Sequence, residues 1–171
     1  MRRFVVAAVM LGMLLTVSPA ALAAGPESVA VTGVSDLLVG QVDGVLVPDP
    51  AGHLHLRQAA FEGSFHLEGN GISITGTQVI VLNGVLDATL SGPVAGSLTV
   101  TVDERGESIV VWQGTIHGRV DALIFTGQAV ARGVGPHAGQ QLKLTYQERP
   151  ATPGVPNPEV FDLAGAVARR R

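Results

Sequence analysis

Histidine residues offer the first candidate for chemistry in this sequence. His53 and His55 stand two positions apart, so on a β-strand both imidazoles would project from the same face. His66 lies on the next strand-like segment, and pairing of the two segments across residues 58–60 would bring the three imidazoles together. Three imidazoles with an open coordination position suit zinc. We favour the alternative, a polar outer face that alternates with buried apolar residues, because His-x-His alone is a weak motif.

The sequence offers few other candidates for catalytic residues or motifs. His117, beside Gly118, and His137, in a loop-like Gly-Pro-His segment, are candidate general bases, but neither has a partner positioned by the sequence. The chain lacks a nucleophile elbow, a phosphate loop and a correctly spaced dinucleotide fingerprint. It contains no Cys, which excludes thiol catalysis, disulfides and iron–sulfur ligation. We therefore assign no catalytic residue, no metal and no cofactor, and expect a protein without catalysis.

The segments that must position these residues alternate with a period of two. Apolar side chains at Leu98, Val100 and Val102 share one face, and the intervening Ser and Thr residues share the other. Similar alternation covers residues 61–68 and 140–148, and no segment shows a sustained helical pattern. Trp112 and Tyr146 fall within apolar alternation, so we expect core positions for both, with stacking on a ligand as the alternative. The pattern predicts an all-β protein.

Turn residues separate these strands at regular intervals. Asn83-Gly84 stands between two apolar runs and predicts a tight hairpin, because a type I′ turn needs positive φ at both central residues. Residues 103–106 predict a second hairpin with Gly106 in the left-handed position, and residues 69–71 predict a third turn. Breaks recur about every 8 to 14 residues, which is typical of an antiparallel meander.

The N-terminus has the plan of a secretory signal peptide. Arg2 and Arg3 precede an apolar run from Phe4 to Val17, and Ala21-Leu22-Ala23 supplies a small-residue cleavage site. The run is short for a membrane span, which needs about 20 apolar residues. We therefore predict a signal peptide at residues 1–23 and an exported protein, secreted or periplasmic. Its removal changes the formal net charge from −3 to −5. An acidic chain of this kind is a poor candidate for binding nucleic acid.

Interior glycines favour a barrel over a flat sandwich. Glycine recurs within strand-like runs, where it permits the bulges and close approaches that a barrel needs to coil and close. We predict one domain over residues 24–171, a single antiparallel β-barrel of about eight to ten strands that is rich in hairpins. A Pro-rich connection at 150–158 leads to a last strand at 159–168, which we expect to close the sheet. The six aromatic residues after position 23 are too few for the two girdles of a transmembrane barrel, so we expect no transmembrane segment in the mature chain.

One stretch of the sequence is similar to a known family. Residues 115–139 contain Phe125-Thr126-Gly127, then residues 131–135 (Ala-Arg-Gly-Val-Gly), then Gly139. This stretch resembles the C-terminal half of the allene-oxide-cyclase-like and dirigent-like β-barrels. The resemblance implies an eight-stranded barrel with an apolar cavity that binds or steers a small hydrophobic molecule. No catalytic residue of that superfamily matches a position here.

Three functions follow from these observations. The first is binding of a small apolar ligand inside the barrel, without catalysis. The second is a structural or protein-interaction module whose exposed face or edge strand binds a partner. The third is an enzyme, either a cyclase-like isomerase or a His-metal enzyme using His53, His55 and His66. The residues that would bind the ligand and the oligomeric state do not follow from the sequence.

Overall fold

The computed structural model describes residues 27–37, 43–104, 106–122, 124–149 and 159–169. Within these ranges the chain forms nine β-strands and one short 3-10 helix, Gly135–His137. The strands are β1 (Glu27–Leu37), β2 (Asp43–Pro48), β3 (Leu54–Gly69), β4 (Ile72–Leu86), β5 (Gly92–Glu104), β6 (Glu107–Asp121), β7 (Ile124–Gly133), β8 (Gln140–Glu148) and β9 (Glu159–Arg169). The predicted signal peptide and the Pro-rich connection lie outside the described residues. No helix in the described ranges has the length and apolar character needed to cross a membrane.

The strands form a closed antiparallel barrel. Strands β3 to β9 follow one another as a meander, each paired with its sequence neighbour. Strand β1 then pairs with β9 along its whole length and with β3 through residues 31–35, which closes an eight-stranded barrel. Strand β2 is the additional strand and pairs with the first half of β3. The predicted all-β barrel is therefore confirmed, and the last strand contributes to its closure.

A bulge in β3 keeps apolar side chains inside the barrel along the whole strand. The register against β4 shifts between Leu56 and Ala59, and Gln58 adopts a positive φ of 53°. One extra residue reverses the alternation of a strand. Leu54 and Leu56 therefore point inward before the bulge, and odd-numbered residues from Ala59 to Leu67 point inward after it.

Two of the three predicted turns are confirmed and the third is wrong. Gly71 and Gly106 adopt positive φ between β3 and β4 and between β5 and β6. Asn83-Gly84 instead lies inside β4, where the Asn83 side chain accepts a hydrogen bond from the N–H of Gln58 at the β3 bulge (3.0 Å). Because β4 pairs with β3 as far as Leu86, a turn at Asn83 would break this ladder and expose Leu86, which is buried.

The actual turn between β4 and β5 is built around Asp87. Its Oδ1 accepts hydrogen bonds from the N–H groups of Thr89 (2.8 Å) and Ser91 (3.1 Å), and its own N–H donates to the Ser91 carbonyl. Leu90 takes the positive φ, at 58°. An Asp side chain that bonds the backbone two and four residues ahead provides a local turn of its own.

The barrel interior is packed densely at one end. Trp112 has no exposed surface and lies beside a second buried residue, Val111, at a β6 bulge where the register shifts against β5. Phe65, Leu67 and Val100 are also fully buried. Burial of Trp112 at this end, and of Tyr146 on β8 towards the other end, confirms the core positions expected for both. Large side chains therefore fill this end, and the opposite end carries the candidate site.

Inward-facing glycines allow neighbouring strands to coil closely. A Cβ at Gly76 would overlap the carbonyl oxygen of Thr101 on β5, and a Cβ at Gly96 would overlap that of Val81 on β4. Gly114 and Gly165 approach neighbouring strands in the same way. These four glycines therefore mark close backbone approaches, as a strongly coiled small barrel requires.

Gly96→Ala tests this close approach. The added methyl group meets the Val81 carbonyl, which belongs to a paired strand and cannot move alone. Overpacking of this kind typically costs about 1–3 kcal/mol, so we expect the free energy of unfolding to fall by that amount. Ser97→Ala, on the exposed face of the same strand, is the matched control and should stay within about 0.5 kcal/mol of wild type. Urea denaturation measures both, and equal stabilities would contradict the proposed constraint.

Candidate functional site: an apolar cavity with a buried carboxyl group

The barrel holds a cavity of about 260 Å³ at the end that carries the turn between β4 and β5. Fifteen of the described residues line it, and thirteen of these are Leu, Ile, Val or Phe, contributed by β2 to β7, β9 and the turn after β4. The other two are Tyr146 and Glu148 on β8. Leu46 and Leu90 retain exposed surface at the rim, so the cavity communicates with solvent. The site is thus an apolar pocket with two polar groups.

The position of Phe125 helps to keep the cavity open. Phe125 faces inward from β7, and its ring lies over the paired residues Gly118 and Gly127. A Cβ at Gly118 would stand 2.8 Å from Phe125 Cε2, and one at Gly127 would collide with the same ring. Two glycines without side chains therefore let a large ring lie along the wall of the barrel. The ring then packs edge-on against Phe161, with 6.1 Å between centroids.

Glu148 brings a carboxyl group into this apolar lining. Glu148 is the last residue of β8 and points inward on the same face as Tyr146, with 8% of its surface exposed. Its Oε2 accepts a hydrogen bond from the backbone N–H of Phe125 at 2.6 Å. Burial raises the pKa of Glu148 above its ordinary value, and the Phe125 hydrogen bond opposes that shift only in part. Among the described residues that line the cavity, Glu148 is the one acidic side chain.

Tyr146 lies in a separate hydrogen-bonded chain of polar side chains. Its hydroxyl donates to Gln78 Oε1 at 3.1 Å, and the Gln78 amide donates in turn to the Ser35 hydroxyl. All three residues are buried, and burial raises the pKa of Tyr146 far above its usual range. These hydrogen-bonded side chains connect β8, β4 and β1 across the barrel interior. Because its hydroxyl is already engaged, Tyr146 contributes mainly its ring to the cavity.

The structure places the histidine candidates outside the cavity and divides them. His53 Nδ1 and His55 Nε2 both contact Asp49 Oδ2 at 3.1 Å on the turn between β2 and β3. The Asp49 Oδ1 accepts the N–H groups of Ala51 and His53. These bonds, first among them that from the His53 backbone, lower the pKa of Asp49 well below its usual range. Asp49 therefore organises this turn and joins the two imidazoles.

His66 does not join them, because the pairing across residues 58–60 that the zinc hypothesis required does not occur. Those residues lie inside the continuous strand β3, and eleven positions at about 3.3 Å each separate His66 from His55. His66 contacts Thr75 Oγ1 (2.8 Å) and Glu68 Oε1 (3.2 Å) on the outer face. No group of three or more His, Asp or Glu side chains in the described ranges is arranged to hold a metal ion.

The two candidate general bases also lie away from the cavity. His117 is exposed on β6, where it pairs with Ala95 and Gln128 on the neighbouring strands. His137 lies in the short 3-10 helix, with its ring 5.2 Å from that of Trp112 at the densely packed end. Neither residue lines the cavity. Tyr146 and Glu148 are the ionisable side chains that the described part of the chain contributes to the cavity.

Glu148 is not among the site residues predicted from the sequence, although the sequence carries a signal for it. The alternation of Leu142, Leu144 and Tyr146 continues to Glu148, which shares their parity and therefore their face. An acidic residue in phase with a buried apolar face is the pattern to look for. The role of Glu148 in the site follows from the lining of the cavity, which other strands supply.

Comparisons with protein-family models, with curated proteins and with solved structures gave no match.

Glu148→Gln should change the pH dependence of stability. In the unfolded chain Glu148 ionises with its ordinary pKa, whereas in the folded protein its pKa is raised. The unfolded state therefore loses this proton first as the pH rises, and the wild-type protein loses stability over the pH interval between the unfolded-state pKa of Glu148, near 4.5, and its higher folded-state pKa. The substituted glutamine side chain does not titrate and can still accept the Phe125 N–H. We expect the stability of the variant relative to wild type to increase over this interval, and a constant difference in urea titrations would contradict the prediction.

Tyr146→Phe should destabilise the barrel. The substitution removes the donor to Gln78 Oε1 and leaves a buried amide oxygen without its partner. Such a loss typically costs about 1–3 kcal/mol of unfolding free energy. The triple variant Tyr146→Phe/Gln78→Met/Ser35→Ala should recover part of that loss, because all three members of the buried polar chain are then apolar. Equal stability of Tyr146→Phe and wild type in urea titrations would show that this hydrogen bond contributes little.

Proposed function

We propose that this protein binds a small apolar molecule in the cavity of the barrel, without catalysis. The observation that carries the proposal is a cavity of about 260 Å³ with an apolar lining and a rim open to solvent. This volume exceeds the roughly 150 Å³ of an apolar cavity that accommodates benzene and approaches the lower end of ordinary ligand pockets, about 300 Å³. A ligand of one or two rings, or a short chain, fits that range.

Two further observations support binding in preference to chemistry. The histidine candidates lie outside the cavity, so its lining presents no imidazole to a bound molecule. The Tyr146 hydroxyl is engaged with Gln78. A pocket of hydrophobic and aromatic side chains with few polar groups is the usual form of a small-molecule binding site. Because the sequence predicts a signal peptide, we also propose that binding takes place outside the cytoplasm.

A neutral apolar dye tests the proposal. Prodan, a naphthalene fluorophore, should show saturable one-site binding to the mature protein, with a blue-shifted emission. Val94→Phe replaces a small lining side chain with an aromatic ring that occupies part of the cavity. It should weaken binding at least about tenfold, or about 1.4 kcal/mol. Ala95→Phe adds the same ring to the outer face of the same strand and is the matched control. Absence of saturable binding, or equal loss in both variants, would refute the proposal.

A further inference from the structure

The carboxyl group of Glu148 has unused capacity for hydrogen bonds. An ionised carboxylate only accepts hydrogen bonds, and its two oxygens offer about four positions. Among the described residues, the Phe125 N–H is the one group that donates to it. The Glu148 side chain, which carries the other carboxyl oxygen, lines the cavity. A molecule in the cavity can therefore reach an acceptor that the described part of the chain leaves unsaturated.

The described residues also provide no positive charge for Glu148. The adjacent cation, Arg149, has the opposite parity and lies on the outer face of the barrel. There its guanidinium forms a bidentate pair with Asp162 on β9, with Nε to Oδ2 at 3.0 Å and Nη2 to Oδ1 at 2.5 Å. None of the ion pairs found among the described residues includes Glu148. Arg149 is thus already committed to another carboxylate.

Burial of the Glu148 carboxylate with a single donor is costly. A buried charge is normally paired or fully hydrogen-bonded, because transfer from water to an apolar environment removes its hydration. Glu148 has one backbone donor and an apolar surrounding. A ligand that carries a cation with N–H donors would supply both missing elements, and charge-assisted hydrogen bonds are roughly twice as strong as neutral ones. An alcohol would supply a donor without the charge, and a carboxylate ligand would be repelled.

We propose that the ligand is an apolar amine, held with its hydrocarbon body in the cavity and its protonated nitrogen against Glu148. This inference rests on the proposed function, since it specifies the ligand class of the same cavity. Recognition then has two parts. The apolar lining accounts for affinity towards hydrocarbon, and Glu148 selects the charge and hydrogen-bonding character of the polar end.

A matched series of ligands separates these two parts. Octylamine, octanol and octanoate have the same chain and differ at the polar end, so their displacement of prodan compares polar groups directly. For the wild-type protein near neutral pH, we expect octylamine to bind at least about tenfold more tightly than octanol, and octanoate to bind most weakly. In Glu148→Gln the advantage of the amine over the alcohol should fall below about threefold.

Glu62→Gln is the control for net charge. Glu62 is exposed on the outer face of β3, so its substitution changes the charge of the protein equally without altering the cavity. This variant should keep the full preference for octylamine. If Glu148→Gln keeps the preference as well, or if wild-type protein binds octanol or octanoate as tightly as octylamine, the inference is wrong.

The outcomes also separate this inference from the proposed function. If prodan and octanol bind the wild-type protein but the amine has no advantage, the cavity binds apolar molecules and only the assignment of the amine fails. If neither prodan nor any member of the series binds, the proposed function fails together with the inference. If Glu148→Gln does not fold, as judged by circular dichroism, the wild-type ranking of the three ligands still decides the question.

Discussion

Pairing of β1 with two strands at once is the interaction on which the rest of the structure depends. β1 bonds β9 along eleven residue pairs and β3 along five, and these two ladders join the ends of a seven-strand meander. Closure defines an inside and an outside for every strand, because side chains alternate across the barrel wall. Without it the inward-facing residues of β3 and β9 would lie on the outer edges of an open sheet. The core, the buried polar chain and the cavity all require this closed wall.

The barrel interior has two contrasting ends. At one end, the β6 bulge buries two consecutive residues, Val111 and Trp112, and large side chains fill the available space. At the other, the Phe125 ring packs against Gly118 and Gly127, and the bulge at Gln58 keeps leucines of β3 directed inward as lining. Bulges and glycines therefore decide where the interior is filled and where a cavity remains. This division follows from backbone geometry more than from the hydrophobicity of the residues.

The buried polar groups show an equally informative contrast. Ser35, Gln78 and Tyr146 bond one another, so the interior contains partners for each of them. Glu148 instead has the Phe125 N–H as its donor and borders the cavity. A polar network whose members are mutually bonded stabilises a fold, whereas a buried acceptor with spare capacity is available to a ligand. The same strand, β8, therefore contributes one side chain to each role.

Local sequence patterns are sufficient to predict the all-β class, the inward positions of Trp112 and Tyr146, and the turns that end at Gly71 and Gly106. Period-two alternation and positive-φ glycines are local properties that a single strand or hairpin already expresses. The sequence did not determine whether Asn83-Gly84 forms a turn. A strong local turn signal is overridden here, because the neighbouring strand continues and a longer ladder buries Leu86. Nor did the sequence show that Asp49, and not His66, is the partner of His53 and His55. The contact of Glu148 with an apolar cavity follows from the closed barrel, because strands distant in the sequence supply the lining of that cavity.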